Sequence, residues 1–183
     1  MIDSTQATEA LNEIDEIVRR VRQSRIYDIA SQILILAGVL VFAGNVASFL
    51  WPRYAGYIWI VVNAVTIACT FAIGAFGRPK RIVHGFDLRA LGAFVLFLAF
   101  GFLCTTVLGH FTPRQHGTFW PIYFMLVYSV VGLWVGYAFV AIGLGISALT
   151  LIGYFFLGAW FEPWMAVVNG GGLILGGLWM RRS

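Results

Sequence analysis

Residues 33–50 read ILILAGVLVFAGNVASFL, a run without one charged side chain. As a helix it would cover about 27 Å at 1.5 Å per residue, close to the ~30 Å of a bilayer's hydrocarbon core. Residues 58–76 and 91–108 are equally free of charge. The chain is 60% hydrophobic and 11% charged, whereas soluble domains carry about 25% charged residues. Lipid, not water, is the solvent this composition suits.

Working outward from that stretch, apolar segments at 29–50, 57–77, 90–110, 119–136, 138–158 and 163–180 predict an all-α, polytopic membrane protein with six transmembrane helices. Residues 119–158 are too long for one span, so a turn is expected within 132–137, where Gly132 and Gly136 lie. The spans group as three hairpins. Trp59, Trp120 and Trp164 each open the second helix of a pair, and each is followed by a Gly-x-aromatic step ending at Phe76, Trp134 and Trp179. Three hairpins with a proline after the first span resemble small acid-stress membrane proteins of the HdeD type, without a diagnostic motif to make the chain a member.

Charge sets the expected orientation. Of the 12 Lys and Arg residues, Arg19, Arg20, Arg22, Arg25, Arg78, Lys80, Arg81, Arg89, Arg181 and Arg182 fall in segments that six spans would leave on one side, and only Arg53 and Arg114 on the other. The positive-inside rule then puts both termini in the cytoplasm, as in a bacterial inner-membrane protein. No cleavable signal peptide is expected, because the first apolar run begins late and is long enough to stay as a span. Although the pI is near 9.4, the basic residues read as topology anchors beside lipid headgroups, so no nucleic-acid partner is expected.

Residues 1–28 form the expected cytoplasmic part and 29–183 the membrane domain. Within 4–27, Leu11, Ile14, Val18 and Val21 make one apolar helical stripe. Acidic Glu9, Glu13, Asp15 and Glu16 precede basic Arg19, Arg20, Arg22 and Arg25, an order that complements a helix dipole. A short amphipathic helix lying on the bilayer or on a neighbouring chain is the expectation.

Hydrophobicity does not hold helices together in lipid, so close approach over small residues and interhelical hydrogen bonds must do so. The pairs Gly132 with Gly136 and Gly172 with Gly176, four residues apart, are the candidate packing positions, and the glycine-dense last helix is expected at the centre. Asn45, Asn63 and Asn169 each fall six residues inside an outer boundary, about 9 Å deep, and Thr105 and Thr106 reach a similar level. This polar layer serves either as glue between helices or as the lining of a site for a small polar solute.

Several chemistries are disfavoured. No Asp, Glu, Lys, Arg or His stands deep in a span, which argues against proton pumps and voltage sensors. Lys80, the only lysine, lies in a loop and could not carry a retinal. His110, His116 and Glu162 are too few for a metal site, and Cys69 and Cys104 sit in apolar runs, so neither metal nor cofactor is expected. Phosphate-loop, nucleophile-elbow and zinc-protease motifs are missing. The leading expectation is a non-enzymatic, accessory or stress-related membrane protein acting by helix packing with itself or a partner. The alternative is a channel or uncoupled facilitator for a small polar or neutral solute, built on the polar layer.

Overall fold

A computed structural model describes residues 4–76 and 88–182; Arg78, Lys80, Arg81 and His84 lie outside the described residues. Regular structure among the described residues is entirely helical. Helix α1 (Ser4–Leu50) is followed by a 3₁₀ turn over Pro52–Tyr54 and by α2 (Ala55–Phe76), α3 (Leu88–Val107), α4 (Pro113–Val135) and α5 (Tyr137–Phe156). A second 3₁₀ turn, Gly158–Trp160, leads into α6 (Phe161–Met165), a π-helical segment (Ala166–Gly171) and α7 (Gly172–Met180), which run on as one rod. Among the described residues, four stretches are long and apolar enough to cross a membrane: Ile26–Leu50, Pro52–Ile73, Pro113–Val135 and Tyr137–Phe156.

Two boundaries differ from the sequence reading, each for a local reason. The amphipathic segment and the first apolar segment are a single helix of 47 residues, with no break at residue 28. Nothing in Ser24–Ile29 demands one, since that stretch contains neither Gly nor Pro. Helix α4 starts at Pro113, several residues before the expected 119, because residues 112–115 close a capping box. Gln115 N–H donates to Thr112 Oγ1 (3.3 Å), Thr112 N–H donates to Gln115 Oε1 (2.8 Å), and Pro113 fills the first turn. Between α4 and α5 the turn is one residue, Gly136, whose N–H donates to Gly132 O (2.9 Å).

The core lies between α1, α4, α5 and α7, where Tyr27, Leu34, Met125, Phe139, Ile142, Ile146, Leu173 and Met180 pack together. Helix α1 and the rod meet backbone to backbone. A methyl group added to Gly170 would lie 2.6 Å from Phe42 Cα, and one added to Gly177 would lie 2.9 Å from Ser31 O. Because Gly38 faces Gly170 while Ile35 faces Gly177, the two run antiparallel. Helix α3 attaches to α4 through aromatics: Phe97 stacks on Tyr123 (4.2 Å between centroids), and Tyr123 Oη donates to Phe97 O (2.9 Å). Helix α2 packs on α1, and none of its described side chains is buried.

Candidate functional site

In a helix surrounded by lipid, a hydroxyl or amide finds its nearest acceptor one turn back on its own backbone. Four residues of the candidate polar layer do this. Asn45 Nδ2 donates to Val41 O (2.8 Å) and Asn63 Nδ2 to Trp59 O (2.7 Å). Thr105 Oγ1 donates to Phe102 O (2.9 Å), and Thr106 Oγ1 reaches Phe102 O and Leu103 O (both 3.0 Å). Asn169, in the π segment, is buried, and its backbone carbonyl accepts from Gly172 N–H.

The five residues are not gathered round one space. Asn45 and Asn169 belong to elements that pack together, α1 and the π segment, and both are buried. Thr105 is buried on α3, a helix held to α4. Asn63 on α2 and Thr106 on α3 are exposed. Two shallow grooves open on the surface. One, of about 340 Å³, runs between α5 and α7 past Ala141, Gly145, Leu149, Gly172, Gly176 and Trp179. The other, of about 320 Å³, is bounded by Leu157, Trp160, Pro163, Trp164 and Val167. Neither is lined by a member of the polar layer.

No family model, curated protein or solved structure matches this chain.

Three hydroxyls depart from the pattern of bonding back. Tyr27 Oη and Ser48 Oγ on α1 and Thr150 Oγ1 on α5 are buried without a hydrogen-bond partner among the described residues, and Thr150 has no exposed surface at all. Ser31, Thr66, Thr118, Ser129 and Ser147 each bond a carbonyl of their own helix. The π segment, which packs on both α1 and α5, widens the helix relative to an α-helical turn, a feature frequent at functional or strained positions. The Gly170-Gly171-Gly172 run, with no side chains to hold a tighter turn, is the sequence signal for it.

The most developed polar contact at the opposite end from Tyr27 involves Arg114, which the sequence reading treated only as a loop charge. Its Nη2 donates to Gly153 O (3.3 Å) and to Tyr154 O, so the guanidinium of α4's first turn caps the last carbonyls of α5. The same group lies over the rings of Tyr154 (5.3 Å) and Phe161 (5.2 Å). Trp164 seals this corner, its Nε1 donating to Leu149 O (2.9 Å) while its ring fills the space beside Gly153. The partners of Arg114 stand 39 and 40 residues away in the chain, a separation that no local motif records.

The four candidate packing glycines serve different contacts. Gly132 lets α5 come close, with Val140 N 2.7 Å from where its methyl would be, whereas Gly136 is the turn itself. Gly172 and Gly176 receive Ile146 and Ile142 of α5. The backbone contact with α1 goes instead through Gly38, Gly170 and Gly177.

At the other end of the molecule, Ile14, Ile17, Val18 and Val21 are 55–63% exposed on the part of α1 that precedes its apolar stretch. That is an uncovered apolar stripe on a helix continuous with a membrane span.

Proposed function

We propose that this chain is a non-catalytic integral membrane protein, accessory or stress-related in role, that acts by docking through the projecting part of α1. In this reading it crosses a bacterial inner membrane six times, with α1 to α5 and the rod over 161–180 as the spans and both termini cytoplasmic. Support for the count comes from the rod's length, about 30 Å at 1.5 Å per residue, from the apolar course of α3 over Gly92–Val107, and from the ten-to-two partition of basic residues.

The observation that carries the docking role is the exposed stripe at Ile14, Val18 and Val21. A soluble protein rarely leaves such a row uncovered unless it binds something. Residues 4–25 extend about 33 Å beyond the start of the apolar stretch, far enough to meet a partner away from the headgroups.

The test is to change Ile14 and Val18 together to Asp in the full chain and to measure in-membrane cross-linking and co-purification. Every association made through residues 4–25 is expected to be lost while the protein still inserts. Unchanged cross-linking and co-purification would refute the docking role.

A further inference from the structure

Resting on that docking reading, we infer that the partner of α1 is a second copy of this chain, paired in parallel along a seam that runs from the projecting helix into the membrane. Three independent features lead there. The first is continuity. A helix with no break cannot turn its side onto the bilayer plane while its other half crosses that bilayer, so the membrane surface does not cover the stripe. Copies inserted in one membrane share an orientation, and their projecting helices therefore stand side by side and parallel.

The second feature is register. Leu11, Val18, Arg25, Gln32, Val39 and Val46 recur at seven-residue intervals, the repeat that keeps one face of a helix toward a partner. Exposure follows that face into the apolar stretch: Val18 is 59%, Val39 52% and Val46 38% exposed, while α2 and the rod occupy other sides of α1 through Gly44 and Gly38. Glu13, Glu16, Arg19 and Arg20 fall at positions away from the seam, whereas Arg25 holds a seam position, at which a parallel pair matches it with its own copy.

The third feature is Gln32. It lies within the apolar stretch Ile26–Leu50, is exposed on this face, and meets no hydrogen-bond partner among the described residues. A primary amide facing hydrocarbon is costly. Because it both donates and accepts, it is complementary to its own copy across a two-fold axis. One buried amide at such a position also fixes register and partner number. The projecting half alone is short for a stable coiled coil, but anchoring in one membrane raises the effective concentration of the pair.

The experiment uses the full chain with Cys69 and Cys104 changed to Ala, carrying single cysteines at Val18, Val39 or, as the off-seam control, Glu16. Cross-linking in native membranes is expected to give dimers at Val18→Cys and Val39→Cys but not at Glu16→Cys. Adding Gln32→Leu is expected to weaken the dimer by about threefold or more, measured by energy transfer between labelled copies in bilayers. Absence of dimer at Val18, equal dimer at Val18 and Glu16, or indifference to Gln32→Leu would overturn self-pairing. Should self-pairing fail while the Ile14 and Val18 double Asp variant still loses association with another protein, the docking reading stands with a different partner; if that double variant loses nothing, the docking reading itself falls.

Discussion

Arg114 concentrates more contacts than any candidate the sequence reading selected. One guanidinium caps two carbonyls of another helix and rests on two rings, so truncation removes charge-assisted bonds and exposes the end of α5. Arg114→Ala is expected to cost about 2 kcal/mol, read as a lower melting point in detergent, and Arg114→Lys to recover only part because an ammonium lacks the planar fork. Residue counting gives an expected depth for Asn45 and Asn63 but not the direction in which each side chain faces. One is buried and the other exposed, since facing is set by which helices pack where.

At the scale of elements, helices and their apolar character were readable because lipid leaves the backbone few alternatives. Their ends were less so. The capping box at Thr112 and Gln115 is written in the sequence and would have moved the start of α4 to Pro113, whereas the π segment depends on how the rod sits against α1. Glycine content announced a close-packed last helix, but four-residue spacing pointed to Gly172 and Gly176, which take isoleucine side chains, and not to Gly170 and Gly177, which take backbone. These contacts predict a graded series. Gly170→Ala places a methyl 2.5 to 2.7 Å from Phe42 atoms, including backbone, and should destabilise by about 1–3 kcal/mol. Gly145→Ala meets nothing within 4 Å and should stay within about 0.5 kcal/mol of wild type or rise slightly through helix propensity. Thermal unfolding of both in one detergent would decide it, and an equal loss would argue that the α1–rod contact is looser than its geometry.

For the whole molecule, topology and the asymmetry of α1 are one problem. The four stretches long enough to span among the described residues give an even number of crossings if α3 and the rod both cross or both stay out, and an odd number if only one of them crosses. The rod is the critical case. Its local hydrogen bonding changes at Ala166–Gly171, yet the helix continues without a break, and its antiparallel contact along α1 from Gly38 to Ser31 carries Met180 toward the level of Tyr27. A rod that stayed on the surface could not follow α1 over that length. Membrane-impermeant maleimide labelling of Ser24→Cys, Arg182→Cys and Arg53→Cys, each in a background without Cys69 and Cys104, tests this directly. Ser24→Cys and Arg182→Cys should react from one side and Arg53→Cys from the other. If Arg182→Cys reacted with Arg53→Cys, the crossing number would be odd, the basic residues would lose their one-sided distribution, and Arg181 and Arg182 would stand where the positive-inside rule disfavours them. Labelling of all three from one side would deny even the first span. Only the first pattern leaves the projecting half of α1 on the arginine-rich side, where parallel copies have room to meet.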